Sequence, residues 1–323
     1  MLSQRLLDKW TRLNEYLRTH WRWLGYVLTA AALVYLLSIL FYGGTQIKAA
    51  NWQAYGTASL TALMLYLLSL LIQFFIWTRL IAFHRRADWR DVEIYSRMIL
   101  TRRLPGGVWH WLSRIAMYSA TTDIPSHIVL LANFLEWSLL ILVALGVFTA
   151  GVSGLSLGLR LILTALFIAM GIGLAYRWQS TTLARRQRVV EASLWTGLYG
   201  VAWFLGGTIL YLFVRAGGAD QLSWLEAFRL WSLAGGISLF ITLVPATFGV
   251  QEVTLTLILQ AYLPLPTALL VAMLIRLVFT LADILWGTLG WALSVIMQWI
   301  RSHRSRQADL PHEVTSIASP PQA

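Results

Sequence analysis

The sequence predicts an all-α, polytopic integral membrane protein with about six transmembrane helices and two opposed re-entrant helical hairpins in an inverted-topology repeat. Three observations predict this fold class. Apolar residues make up 58% of the 323 residues and charged residues only 12%, which is more apolar surface than a soluble chain of this length could bury. Six stretches are long enough to cross a bilayer, which takes about 20 apolar residues. Two further apolar stretches, 91–122 and 226–264, are broken by Pro, Gly and charged residues.

The composition also limits the chemistry. The chain has no cysteine, which excludes disulfides, cysteine-based zinc sites and thiol nucleophiles. The net charge is +11, but the basic residues flank apolar spans and form no nucleic-acid-binding motif, so no nucleic-acid partner is expected. Seventeen Trp and twelve Tyr are typical of side chains that anchor a protein at membrane interfaces.

The first predicted element is a basic N-terminal segment, residues 1–23, which carries five Lys or Arg. Its apolar residues recur at the spacing of an amphipathic helix that lies on an anionic leaflet. A solvated basic segment that keeps the N-terminus inside explains the charge equally well, and both interpretations stay open. The apolar positions are Leu2, Leu6, Trp10, Leu13 and Leu17.

The membrane region divides into a first repeat, 24–150, and a second repeat, 151–298. A disordered, basic and polar cytoplasmic tail is predicted for 299–323. The predicted spans are 24–42, 57–80, 126–150, 156–176, 192–214 and 267–296.

The distribution of Lys and Arg predicts that both termini are cytoplasmic in the cell membrane, because basic residues concentrate in cytoplasmic loops. Five lie in 1–23, seven in 81–125, four in 177–191 and three in the tail, against three in the opposite loops. With this orientation, 91–122 enters and leaves on the cytoplasmic face, and 226–264 does so on the external face.

Each broken stretch is long enough for a helical hairpin that reaches partway across the membrane; helices lying flat at the interface are the alternative. The order span, span, broken stretch, span occurs twice, and Pro105 and Pro245 are 140 residues apart. Because each half contains three crossings, the second half is inverted relative to the first. Such repeats are typical of secondary transporters.

The first broken stretch contains RRLPGGVWHWLSR, which could bind an anionic lipid head group. Guanidinium groups bind phosphate in a forked geometry, and a helix that restarts after Pro and Gly leaves backbone N–H groups free for an anion. Arg114 is the preferred ligand, whereas Arg102 and Arg103 are explained equally well as positive-inside residues that contact ordinary phospholipid. The other candidates here are Pro105, Gly106, Gly107 and His110.

Three charged residues, Glu136, Arg276 and Asp283, lie far from the ends of predicted spans. A charge there costs about 2.5–3.5 kcal/mol on insertion, so each is a candidate functional residue. We expect Glu136 or Asp283 to neutralise Arg276. The pair would either exchange charge or gate during transport, or form a permanent ion pair that only positions helices.

The second broken stretch contains VPATFGVQE, in which Pro245 and Gly249 break the helix and Gln251 and Glu252 follow. Glu252 is predicted to balance charge or to gate the external hairpin. A carboxylate that merely favours the N-terminal end of the next helix explains its position equally well.

No motif indicates catalysis or metal binding. GVSG at 151–154 and GLSLG at 154–158 match serine-nucleophile patterns, but the histidines after His127 lie in the polar tail, so the matches are interpreted as accidental. No cofactor, no metal site and no enzymatic activity are expected; an intramembrane hydrolase is the enzymatic alternative that stays open.

Four motifs in order resemble the lysylphosphatidylglycerol synthase transmembrane region family, also called flippase-like domain proteins, over nearly the whole chain. LPGGVWHWLSR and VPATFGVQE resemble its two signatures, and NFLEWSLLI and LIRLVFTLADILWG resemble its helices with an internal Glu and an internal Arg. The resemblance implies an integral membrane protein that moves a lysine-modified phospholipid or a lipid-linked sugar between leaflets. It implies a site lined by Pro105, Gly106, Arg114, Glu136, Gly249, Glu252 and Arg276.

Two features depart from the family pattern. The second signature usually has Gly where Thr247 stands and Arg where Gln251 stands, which changes the charge balance of the outer hairpin. Residues 299–323 are too few for the soluble aminoacyl-transferase domain of the multiple peptide resistance factors, so lysyl transfer is not expected.

The sequence therefore predicts a translocator of a lipid or lipid-linked glycan that holds an anionic head group between two hairpins. The alternative is a membrane accessory or scaffold protein. Such a protein would bind a polyprenyl-phosphate or phospholipid for a glycosyltransferase or an envelope-assembly partner without moving it.

Overall fold

The computed structural model consists of α-helices joined by short turns, and the part of the chain that it describes contains no strand. The predicted basic segment 1–23 and most of the predicted span 24–42 lie outside that part. The described residues are 34, 37, 38, 41, 50–82, 88–102, 109–152, 154–179, 183–241 and 250–308.

The helices of the described residues are numbered here in chain order. They are α1 (Trp52–Ile81), α2 (Trp89–Thr101), α3 (Trp109–Thr121), α4 (Ser126–Ala150), α5 (Leu157–Trp178), α6 (Arg185–Ala216), α7 (Trp224–Ile241), α8 (Val250–Leu259) and α9 (Leu265–Ala308).

Five of these helices, α1, α4, α5, α6 and the Leu265–Met297 part of α9, are long and apolar enough to cross a membrane. This confirms a helical chain with the length and hydropathy typical of multi-pass membrane proteins. The predicted span 126–150 coincides with α4, and four other predicted spans fall within α1, α5, α6 and α9, apart from one residue at the start of α5.

Polar residues define several helix starts. The Asn51 side chain accepts a hydrogen bond from the Ala54 N–H at the start of α1, and Asp88 and Asp91 form a reciprocal capping box at the start of α2. Ser156, one of the serines in the nucleophile-like motifs, accepts a hydrogen bond from the Leu159 N–H and caps α5. The local role of Ser156 is therefore to begin a helix.

The long helix α9 corrects the predicted boundary of the tail. It continues to Ala308, so residues 299–308, which were predicted to be disordered, are helical. The His303 ring packs against Trp299 at a tilt of 39°, with 4.1 Å between ring centroids, and its Nδ1 lies 3.0 Å from the Trp299 carbonyl oxygen one turn earlier. These local contacts support the helix beyond its apolar part.

Both broken stretches form a pair of helices. The helices α2 and α3 pack on each other, as do α7 and α8. At a rise of about 1.5 Å per residue, α2 and α3 are about 20 Å long and α8 about 15 Å, less than the roughly 30 Å of a hydrocarbon core. The linkers 103–108 and 242–249 lie outside the described residues, and with them the predicted site residues Arg103, Pro105, Gly106, Gly107, Pro245 and Gly249.

The packing of the two halves is largely reciprocal. The helix α2 packs on α9, and its counterpart α7 packs on α4; α3 packs on α4, and its counterpart α8 packs on α9. The helices α1 and α6, which correspond to each other, pack side by side. The correspondence is incomplete, because α6 packs extensively on α7 whereas α1 and α2 make no comparable contact. Each helix pair is thus supported by both α4 and α9, the last helices of the two halves.

Candidate functional site

A cavity of about 260 Å³ lies among seven of the helices, between the two halves. Its wall carries three arginines, one carboxylate and one histidine, together with a few hydroxyl and amide groups. The residues are contributed by α1, α2, α3, α4, α6, α7 and α9. The charged lining residues and the histidine are Arg102, His110, Arg114, Glu136 and Arg276.

Arg114 on α3 is held in the protein interior through Nη1 and the face of its guanidinium, whereas its buried Nε has no hydrogen-bond partner among the described residues. Its Nη1 donates to Glu136 Oε2 at 2.5 Å and to Asn133 Oδ1 at 2.9 Å, and its guanidinium carbon lies 3.6 Å from the centroid of the Trp77 ring. Only 2% of the residue is exposed. A buried charge needs such partners, and here α1 and α4 supply them. The charge of Arg114 is therefore compensated, and its side chain is held in one place.

A chain of hydrogen bonds fixes the aromatic ring under Arg114. Trp77 Nε1 donates to the Tyr118 hydroxyl at 2.8 Å, and that hydroxyl donates to Asp91 Oδ1 at 2.7 Å. The other oxygen of Asp91 accepts the Asp88 N–H at 2.8 Å. The start of α2 is thus connected through α3 and α1 to the arginine at the cavity.

A second buried ion pair joins Arg276 on α9 to Glu252 on α8. The Arg276 side chain is 23% exposed and lines the cavity, whereas the Glu252 side chain is 6% exposed and lies behind it. One oxygen of Glu252 binds Arg276, and the other, Oε2, is buried without a hydrogen-bond partner among the described residues.

The two ion pairs occupy corresponding places with their charges exchanged. In the first half the arginine is on α3 and the carboxylate on α4; in the second half the carboxylate is on α8 and the arginine on α9. The expectation that Glu136 or Asp283 would neutralise Arg276 missed this pairing. The reason is that the second helix of each pair packs on the last helix of its own half, which brings Arg114 to Glu136 and Glu252 to Arg276.

Arg102 lies at the C-terminal end of α2 and also lines the cavity. Within the described part of the chain it makes no ion pair. Sequence reasoning explained Arg102 equally well as a residue that contacts bulk phospholipid. The fold instead places it in the wall of the cavity.

Asp283 is 1% exposed and accepts a hydrogen bond from the Tyr66 hydroxyl at 3.3 Å. Tyr66 lines the cavity and stacks on Phe279, with 3.9 Å between ring centroids. Asp283 thus acts on the cavity through Tyr66. Gln251 lies in α8, at its second residue, and its side chain is outside the described part of the structure.

The aromatic part of the wall was not found from the sequence. Trp203 Nε1 donates to the Leu140 carbonyl at 3.1 Å, and Trp137 Nε1 donates to the Leu239 carbonyl at 3.3 Å, so both rings are fixed. Glycines on facing helices make room for two of the rings: a Cβ on Gly206 would lie 2.0 Å from Trp231 Nε1, and one on Gly235 would lie 2.5 Å from the Trp203 ring. The only sequence signal for these rings is the two glycines, on helices that also carry tryptophans. The aromatic lining residues are Tyr66, Tyr95, Trp111, Trp137, Trp203, Trp231 and Phe279.

This arrangement is suited to an anion. Among the described residues, no group of three His, Asp or Glu could hold a metal ion. Guanidinium groups bind phosphate and carboxylate in a forked geometry, and Arg102 and Arg276 both present one to the cavity. The volume of about 260 Å³ is below the range of about 300–1,000 Å³ that is usual for drug-sized ligands. The cavity therefore fits a small anionic group better than a whole lipid.

No protein-family model matches the chain, and no curated protein is significantly similar to it in sequence.

Proposed function

We propose that the chain moves a lipid, or a lipid-linked glycan, with an anionic phosphate head group between the leaflets of a membrane. The observation that carries this proposal is Arg102, a cavity-lining arginine without an ion-pair partner among the described residues. Arg276, whose side chain is 23% exposed, lines the same cavity. The apolar helices that surround the cavity would keep the acyl chains in the bilayer while the head group enters.

The proposal includes the finer architecture. We take the two helix pairs as re-entrant hairpins that open to opposite faces, within six spans arranged as an inverted repeat. The short lengths of α2, α3 and α8 and the reciprocal packing of the two halves support it. The Lys and Arg distribution supports cytoplasmic termini in the cell membrane. Membership of the flippase-like family is part of the same proposal and rests on the motifs alone.

A reconstitution assay tests movement. Purified protein is placed in vesicles with fluorescent phosphatidylglycerol, and the fraction in the outer leaflet is followed by quenching with an impermeant reductant. Arg102→Gln should slow movement by about tenfold or more, since a hydrogen bond to a charged group contributes about 1.5–3 kcal/mol. Arg97→Gln is the matched control, because Arg97 is on the same helix but its side chain is 51% exposed and pairs with Glu93.

The outcomes separate the two candidate functions. Movement that is the same with wild type, Arg102→Gln and empty vesicles contradicts translocation. If the wild type binds the phosphatidylglycerol head group and Arg102→Gln does not, but neither moves it, the accessory protein that binds lipid for an enzyme partner is the better description.

The proposed orientation has a separate test, because the cysteine-free chain accepts single cysteines without background labelling. A cysteine at position 105 should react with an impermeant maleimide only from the cytoplasmic side, and one at position 245 only from the external side. Labelling of both positions from the same side would contradict the inverted repeat.

A further inference from the structure

Glu252 differs from the other buried carboxylates of the site in how its two oxygens are used. Oε1 binds Arg276, but Oε2 has no hydrogen-bond partner among the described residues, although only 5% of the residue is exposed. Glu136, at the corresponding place in the first half, instead faces an arginine that Asn133 and Trp77 also hold. Glu252 thus has one carboxylate oxygen that can accept a proton.

The geometry gives an incoming anion access to Arg276 but not to Glu252. The guanidinium of Arg276 lines the cavity and its side chain is 23% exposed, whereas Glu252 lies behind it and outside the cavity lining. A phosphate group in the cavity can therefore bind Arg276 in the forked geometry, which uses both terminal nitrogens of the guanidinium. Because Nη1 of that guanidinium also donates to Glu252, the phosphate and Glu252 compete for it.

Among the described residues, no cation other than Arg276 lies close to Glu252. The helices that pack on α8 are α7 and α9. The charged residues of α7 are Glu226 and Arg229, which lie at the far end of that helix and pair with each other. The helix α9 offers Arg276 and, two turns further, the carboxylate Asp283. The helix α8 itself carries no second ionisable residue.

A buried carboxylate that loses its only cation is far from its ordinary solvation, and such groups become neutral by taking up a proton. We propose that Glu252 is a proton-binding site coupled to the phosphate site: when a head-group phosphate replaces Oε1 at Arg276, Glu252 takes one proton from hydronium in the solvent and becomes a neutral carboxylic acid. The step balances, because hydronium gives its proton to the carboxylate and leaves as water. One negative charge enters the site with one positive charge.

This inference rests on the proposed function and adds its coupling ion. For a phosphodiester head group, which carries one negative charge, the loaded site has the same net charge as the empty one. Movement of the loaded state would then be electroneutral, driven by a pH gradient and insensitive to the membrane potential. The corresponding pair Arg114–Glu136 stays closed throughout, because its arginine is 2% exposed and held on three sides.

The direct test counts protons on binding. The full-length protein in nanodiscs of zwitterionic lipid is titrated with short-chain dihexanoyl phosphatidylglycerol by calorimetry, in two buffers with different ionisation enthalpies. At neutral pH the wild type should take up close to one proton per bound lipid, and its affinity should fall by up to about tenfold per pH unit as the pH rises. Glu252→Gln should take up none, bind with an affinity independent of pH, and bind at least as tightly as wild type at high pH, because no carboxylate competes.

Glu93→Gln is the matched control, since Glu93 pairs with the exposed Arg97 on α2, away from the cavity, and should leave proton uptake unchanged. Infrared difference spectra provide a second measurement if Glu252→Gln fails to fold. Lipid binding should produce the C=O band of a protonated carboxylic acid, and Glu252→Asp should shift that band. A band that is absent, or that Glu252→Asp leaves unchanged, overturns the assignment.

The two proposals fail in different ways. If the wild type binds the short-chain lipid without exchanging protons, the proton site is wrong and translocation of an anionic lipid is unaffected. If the wild type binds no short-chain lipid at any pH, the phosphate site of the proposed function is wrong and the proton site falls with it.

Discussion

The guanidinium of Arg114 lies over the indole of Trp77, 3.6 Å from its ring centroid, and the indole N–H is bound 2.8 Å away by the Tyr118 hydroxyl. A cation against an aromatic face in a dry site contributes about 2 kcal/mol or more. The arginine at the cavity therefore depends on the orientation of a ring that is itself fixed from the start of α2 through Asp91.

Tyr118→Phe tests this chain of contacts. The change removes a donor to the buried Asp91 and an acceptor for Trp77 Nε1, so both lose a partner. The free energy of unfolding should fall by about 1–3 kcal/mol, the usual cost of an unsatisfied buried polar group. Denaturant unfolding in detergent measures it, with Tyr211→Phe as control because Tyr211 makes no hydroxyl hydrogen bond among the described residues. Equal effects of the two changes would contradict the network.

The exchanged ion pairs predict the result of a charge swap. Arg114→Ala or Glu136→Ala alone should lower the free energy of unfolding by about 3–5 kcal/mol, because each leaves an uncompensated buried charge. Arg114→Glu combined with Glu136→Arg reproduces the order of charges in the second half, and it should be more stable than Arg114→Glu alone. Thermal unfolding of the four variants and the wild type measures these effects; a double swap that is no more stable than Arg114→Glu alone would show that the pair does not interact.

Close helix packing around the cavity predicts a contrast between two glycines of α6. A Cβ on Gly206 would lie 2.0 Å from Trp231 Nε1, whereas one on Gly200 would meet nothing within 4 Å. Gly206→Ala should destabilise the protein by about 1–3 kcal/mol through overpacking and displace a cavity-lining ring. Gly200→Ala should be neutral or stabilising by up to about 1 kcal/mol, because alanine loses less backbone entropy in a helix. Tryptophan fluorescence and thermal unfolding measure both effects.

The turn after α8 predicts a dependence of stability on alkaline pH. Burial and then the hydrogen bond to Glu226 raise the pKa of Tyr262 to about 12. Since the pKa is higher in the folded state than the ordinary value of about 10, the stabilisation is fully present below pH 10 and is lost as the pH rises towards 12. Unfolding midpoints between pH 9 and 12 should fall more steeply for the wild type than for Tyr262→Phe. Parallel curves would contradict the assignment.

The sequence by itself determined the elements that depend on local pattern. Apolar length defines a helix as soon as a run exceeds a bilayer thickness, so α4 was predicted at its observed ends, Ser126 and Ala150. The interruptions at 91–122 and 226–264 were also predicted from local pattern, because proline, glycine and charged residues break an apolar helix. Glu136 and Arg276 were selected because a charge in an apolar span is costly, and Arg114 and Glu252 because they follow the proline and glycine of the two broken stretches.

Only the tertiary structure determined which of the buried charged residues form ion pairs with each other. Helix packing brings Arg114 to Glu136 and Arg276 to Glu252, a choice that no spacing within one helix expresses. The same packing turns Arg102 from an apparent interface residue into a cavity residue, and sets Trp203 and Trp231 against glycines of neighbouring helices. The sequence pattern shows whether a residue is compatible with a membrane span. The partner of a buried charge depends instead on which helices pack together, and those helices can be far apart in sequence.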